Sequence, residues 1–288
     1  MIAGHEVLSL PSASVLGVLR KEVAGRKRAP GVVAVLADPV FDSQDPRAQA
    51  PQEQETERTD SPGKGLRAAP GTASSDREAA RSSQEAGGPP NAGEEKPARL
   101  RFTRAEAEAI LGLAPRQSEL AALDFDASVK TATSPAMSQY RILHFATHGV
   151  LDSQHPELSG IVLSLVDNKG KPTDGFLRLN QIYNMKLPVE LVVLSGCKTG
   201  LGKEIKGEGL VGLTRGFMYA GAPRVVVSLW DVNDAGTAEL MKLFYQAMLK
   251  ENARPAQALR AAQVGMMKRS GFSSPYYWAP FILQGEWR

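Results

Sequence analysis

Four short apolar runs, each stopped by proline, glycine or a polar turn, constrain this chain more than anything else in it. They fall at 31–37, 140–146, 191–194 and 224–229, and valine, leucine and isoleucine dominate them. Each is too short for a helix and continuous rather than alternating. That is the pattern of strands buried on both faces of a parallel sheet. Segments with helical periodicity separate them. Ser12 or Ser14 opens one that runs to about Gly25. Thr103 is placed to cap 104–113, with Glu106 completing a capping box. Further helices are expected at 207–220, at 235–250 behind an Asp234 cap, and at 255–268. A short strand at 6–10, a strand leading into a short helix at 121–132, and a hairpin about Asp167-Asn168-Lys169-Gly170 fill the gaps. A short helix at 179–185 follows the hairpin, and 278–283 reads as an edge strand. Strands alternating with helices predict an α/β, three-layer α/β/α sandwich with a mainly parallel central sheet.

One segment does not fit this pattern. From about Ser43 to Arg99 the sequence is rich in Pro, Gly, Ala, Ser, Gln and Glu, with no aromatic residue and almost no aliphatic one. Such a stretch cannot bury enough surface to offset the entropy of ordering. It reads as a disordered insertion at about 43–99 within a single domain spanning 1–288. The net charge of +3 is too mild for a nucleic-acid partner. No apolar stretch approaches the length of a membrane span, and residues 1–6 lack a basic leader, so a cytoplasmic protein is expected. The single cysteine excludes an internal disulfide and a Cys-rich zinc site.

That cysteine, Cys197, lies in Ser195-Gly196-Cys197-Lys198-Thr199-Gly200, directly after the run Leu191-Val192-Val193-Leu194. Its setting is a glycine-bracketed turn at the carboxyl end of a strand, where open α/β sheets place their chemistry. A second strand, Tyr140 to Ala146, ends in Thr147-His148-Gly149. If the two strands are neighbours, an imidazole meets a thiol, the pair that cysteine nucleophilic catalysis needs. His144 is read as a structural residue inside its strand, His148 as exposed beyond the strand end, and His155 as a solvated surface residue. The four-residue spacing of His144 and His148 suggests metal ligation only on a helix, and no carboxylate is placed as a third ligand. Gly207-Glu208-Gly209-Leu210-Val211-Gly212 matches a dinucleotide fingerprint, but no strand precedes it. Neither a metal nor a cofactor is expected.

The stretches 141–149 and 191–202, with Glu208-Gly209-Leu210, Val225-Val226-Val227-Ser228-Leu229-Trp230-Asp231 and Tyr277-Trp278-Ala279-Pro280-Phe281, closely resemble the CHAT family. That family is similar to caspases and separases, clan CD cysteine peptidases of the caspase–haemoglobinase fold, and is often carried behind tetratricopeptide repeats. The resemblance implies His148 as the catalytic histidine and Cys197 as the nucleophile. It implies the backbone amides of Gly149 and Cys197 as oxyanion donors. It implies a protein or peptide substrate and a tetratricopeptide-repeat or other regulatory partner. By the same resemblance Ser228, Leu229, Trp230 and Asp231 border the substrate groove, and an Asp231 at its base would favour arginine or lysine before the scissile bond. The caspase pentapeptide around the cysteine is absent, so aspartate specificity is not carried over. A cysteine endopeptidase is the leading expectation; a catalytically silent signalling or scaffold module of the same fold is the alternative.

Overall fold

A computed structural model describes residues 2, 4–10, 12–49, 97–150, 159–196 and 208–287. The strands are β1 (Leu8–Ser9), β2 (Gly31–Pro39), β3 (Glu119–Asp124), β4 (Tyr140–Ala146), β5 (Gly149–Val150), β6 (Gly160–Val162), β7 (Phe176–Arg178), β8 (Leu191–Leu194), β9 (Arg224–Ser228) and β10 (Phe281–Gly285). The helices are α1 (Ala13–Val23), α2 (Pro46–Gln49), α3 (Thr103–Leu113), α4 (Val129–Ala132), α5 (Leu179–Tyr183), α6 (Glu208–Tyr219), α7 (Asp234–Leu249), α8 (Pro255–Met267) and α9 (Pro275–Trp278).

Seven strands form the central sheet in the order β1-β10-β9-β8-β4-β2-β3, parallel from β9 through β3. Consecutive side chains on these strands face opposite layers, which splits the core in two. Leu36, Leu143, Phe145, Val192, Leu194 and Val227 pack with Leu19 of α1, Ile182 of α5 and Phe217 of α6. Val33, Val35, Ile142, Ala146, Val193 and Val226 face Ile110 of α3, Phe244 of α7 and Leu259 of α8. The apolar runs are continuous because both faces are covered. A small antiparallel sheet, β5-β6-β7, sits beyond the end of β4.

Several local expectations differ from what the chain does. The 278–283 strand is interior: β10 runs antiparallel to β9 and is flanked by β1. Asn233, not Asp234, caps α7, its Oδ1 accepting from Gly236 N at 2.9 Å. Asp234 is thereby released to bond the Phe102 amide instead, at 2.8 Å. No capping box forms on α3: the Thr103 hydroxyl donates to Leu100 O at 2.8 Å, and Glu106 turns into the core.

The ends of the 43–99 segment are also ordered, and electrostatics explains why. β2 and β3 end side by side, with Asp38 one residue before the end of β2 and Asp124 closing β3, both in the left-handed region with φ of 50° and 52°. Aspartate tolerates this conformation better than most residues. The carboxylate of Asp38 is only 1% exposed. It accepts a two-pronged contact from Arg99, at 2.8 and 2.7 Å, and a bond from Arg104 at 2.8 Å. Arg47 reaches it at 3.2 Å and also holds Asp45 and Asp124. A buried carboxylate without such partners would be strongly unfavourable, so the flanks fold onto it. Residues 50–96, the remainder of the expected insertion, lie outside the described residues.

Deletion boundaries should therefore matter. Replacing 50–96 by a short linker should leave the melting temperature nearly unchanged. Replacing 43–99 removes Arg47 and Arg99 and should lower it by on the order of 10 °C, the size expected for stripping partners from a buried charge. Equal melting temperatures for the two deletions would contradict this account of Asp38.

Candidate active site

β4 and β8 are parallel neighbours in register, Phe145 opposite Leu194, so both chains leave the sheet at the same level. Ser195 N donates to Phe145 O at 3.0 Å and extends the pairing one residue further. Gly196 then lies against the backbone of Thr147 so closely that a Cβ there would collide with the Thr147 carbonyl, 2.9 Å from its carbon. Glycine is needed at 196 for that approach. The residue before Cys197 thus abuts the residue before His148. Cys197 itself lies outside the described residues, as does His155.

His148 is buried, 4% exposed, rather than exposed as its place beyond the strand end suggests. Phe41 packs on the ring with centroids 5.4 Å apart. The Ala98 carbonyl accepts a bond from His148 Nε2 at 2.7 Å. A carbonyl can only accept, so Nε2 carries the proton and exchange at the ring is assigned to Nδ1. The next residue, Gly149, begins β5. His148 O accepts from Val162 N at 2.9 Å, and Val150 pairs with Gly160. In an antiparallel ladder the intervening Gly149–Ile161 pair is the non-bonded one, so the Gly149 amide points away from β6.

Beside these strand ends is a small acidic pocket whose lining includes Glu106, Ser195, Gly196, Asp231, Asp234 and Thr237. Among the described residues no Lys or Arg lines it. Glu106 Oε1 accepts from His144 Nε2 at 2.8 Å, and the Ser195 hydroxyl lies 3.3 Å from the same nitrogen. His144 Nδ1 is 3.0 Å from Tyr245 Oη. Burial raises the Tyr245 hydroxyl well above its usual range, and Glu106 adds to this, so the phenol keeps its proton and donates to Nδ1. His144 is therefore a fully engaged structural histidine, as its strand position suggests. Glu106 Oε2 and Thr237 Oγ1 are buried with no hydrogen-bond partner among the described residues. Burial pushes the Asp234 carboxyl up to about 6; the Phe102 amide opposes the rise, and Glu106 and Asp38 add to it.

Of the four groove residues expected from the sequence, only Asp231 lines this pocket. Ser228 is buried at the end of β9 opposite Phe281. Leu229 and Trp230 are exposed, the former tied to Pro280 O through its amide at 2.9 Å. Glu106, Asp234 and the Ala98 carbonyl join the site without being expected there. The legible signal is Glu106: positions 103, 106, 107 and 110 form the buried stripe of α3, and a carboxylate there requires a polar partner in the core.

The family model of the CHAT domain matches residues 1–286. The chain belongs to the CHAT family. CHAT domains are part of the caspase-like clan, and the chain described above is α/β with a mainly parallel central sheet. Tetratricopeptide repeat protein 28 of Homo sapiens is 31% identical over 146 residues, covering 51% of this CHAT chain and 5% of that protein. Its Mus musculus counterpart is 36% identical over 108 residues, covering 36% of this chain and 4% of that protein. The chain thus spans about a twentieth of the length of these curated relatives. Among solved structures it is similar to the Arg specific cysteine proteinase gingipain R, at 10% identity and a TM-score of 0.42, over 96% of this chain and 52% of that one.

The site's electrostatics makes a pH prediction. A carboxyl raised to about 6 from the ordinary 3.8 disfavours the folded state once ionised. Its stabilising contribution is fully present below about pH 4 and is lost as pH rises through about 6. Asp234→Asn should therefore melt higher than the unsubstituted protein at pH 7.5, with the gap closing below pH 4. A gap that does not change with pH would show that Asp234 is not held in an unfavourable ionised state.

Proposed function

We propose that this CHAT domain is a cysteine endopeptidase that cleaves after a basic residue. The observation that carries the reading is the in-register β4–β8 pair with Gly196 seated on Thr147. It supports placing the Cys197 thiol beside the His148 imidazole. With Nε2–H held by Ala98 O, Nδ1 takes the thiol proton, and the thiolate attacks the peptide carbonyl carbon. The oxyanion is bound by the Gly149 and Cys197 amides. His148 then gives its proton to the leaving amine, and the peptide C–N bond breaks to leave a thioester on Cys197. Water, deprotonated by His148, hydrolyses the thioester and restores the thiol.

The acidic pocket supplies the specificity. Its lining includes three carboxylates and two buried polar atoms without partners among the described residues, beside the β8 strand end that leads to Cys197. An arginine or lysine side chain matches that charge, and its donors reach Glu106 Oε2 and Asp231. A tetratricopeptide-repeat partner or fused repeat array is the natural regulator, because both curated relatives are repeat proteins. The burial of His148, with Nε2 bonded to the Ala98 carbonyl, favours a second reading, a catalytically silent signalling module of the same fold.

An electrophilic peptide probe separates the two. A probe with arginine at the position before the warhead should label the protein, and Cys197→Ala should abolish labelling. The arginine probe should react about tenfold to a hundredfold faster than a glutamate probe, the range of one charge-assisted hydrogen bond. No labelling by any probe in the folded protein would favour the silent module. Equal rates for arginine and glutamate would remove the acidic pocket from specificity.

A further inference from the structure

We propose that Asp38 is a positioning residue for His148, acting through the Arg99 fork and the Ala98 carbonyl. The link is short and continuous. Asp38 is the penultimate residue of β2, which pairs with β4, so its carboxylate is fixed to the same sheet that leads to His148. Both of its oxygens accept from Arg99, at 2.8 Å for Nε and 2.7 Å for Nη2. This two-pronged geometry fixes orientation as well as distance, which a single point contact does not. Ala98 is the adjacent residue, and its carbonyl is the acceptor for His148 Nε2 at 2.7 Å.

Among residues 97–100, Arg99 is the anchored side chain next to the Ala98 carbonyl. Residues 97–100 have neither helical nor strand hydrogen bonding, so their backbone is held by what they touch. Phe102 N is anchored on Asp234 at 2.8 Å, four residues along. Leu100 O accepts from the Thr103 hydroxyl at 2.8 Å, and Arg99 supplies the anchor adjacent to the carbonyl that matters. Arg104 and Arg47 satisfy the remaining capacity of Asp38 and couple it to Asp124. A second arginine pair on Asp38 therefore preserves its burial when the Arg99 contact is lost. The Asp38–Arg99 contact then has a role separable from that of a general staple: it selects which ring nitrogen of His148 carries the proton. Its consequence for catalysis rests on the peptidase reading; the tautomer itself does not.

Histidine tautomers are read directly from imidazole 15N chemical shifts, and the chain has 4 histidines to resolve. The spectrum of the full chain with 15N-labelled histidine would be recorded at alkaline pH, where the rings are neutral. A His148→Gln sample assigns the His148 signals. In the unsubstituted protein His148 should be mainly the Nε2–H form. In Arg99→Gln the ratio of Nε2–H to Nδ1–H should fall about fivefold, the equivalent of one ordinary hydrogen bond. Arg99→Lys, which keeps the charge but not the fork, should recover only part of it. His144, held by Glu106 and Tyr245, is the internal fold control and should not change. An unchanged His148 ratio in Arg99→Gln would overturn the proposal. So would equal changes at His144 and His148, which would make the contact a general fold element. If the ratio shifts while the arginine probe labels neither protein, the positioning stands and the peptidase reading fails.

Discussion

The close approach of Gly196 to Thr147 is the contact on which the rest of the site depends. It exists because β4 and β8 pair in parallel register and stop together, and because position 196 has no Cβ. Any larger residue there would push the two strand exits apart. That one steric condition decides whether a thiol at 197 and an imidazole at 148 can share a proton. The apolar runs of both strands, covered on each face by helices, make the arrangement rigid. Chemistry at the site therefore inherits its precision from the packing of the sheet.

Around this contact the core holds more polar groups than its apolar lining leads one to expect. His144 bonds both Glu106 of α3 and Tyr245 of α7, and Asp38 is buried under arginines near the end of β2. Buried polar groups are costly unless satisfied, and these networks are largely closed. Two buried atoms of pocket-lining residues, Glu106 Oε2 and Thr237 Oγ1, have no hydrogen-bond partner among the described residues. Satisfied polar groups hold the scaffold, and under the proposed function a cationic side chain would complete these two atoms. The same helix, α3, serves both ends, with Arg104 on Asp38 and Glu106 on His144.

The sheet is legible in the sequence because parallel strands buried on two faces must be continuously apolar, so the runs at 31–37, 140–146, 191–194 and 224–229 have few other fates. The neighbouring placement of His148 and Gly196 follows from similar strand-then-glycine contexts. Capping is less legible because several residues can perform it. Asn233 and Asp234 are adjacent, and only the Phe102 amide, more than a hundred residues distant, decides which one caps. Glu106 looks like a cap because local spacing allows it, whereas a histidine in another strand takes it. The Ala98 carbonyl cannot be found from residue types, since every residue has one. The ordered edges of the 43–99 segment escape notice for a related reason: composition describes apolar burial, and Arg47 and Arg99 are held by charge.

Peptidase chemistry at this site requires that Cys197 sense His148. The direct measurement is the pH dependence of Cys197 alkylation by iodoacetamide, compared between the unsubstituted protein and His148→Ala. An imidazolium beside the thiol lowers its apparent pKa below the ordinary value of about 8.5. The unsubstituted protein should therefore react at neutral pH faster than a model thiol, and His148→Ala should shift the profile upward toward that ordinary value. Superimposable profiles for the two proteins would mean that the strand ends do not bring the pair together.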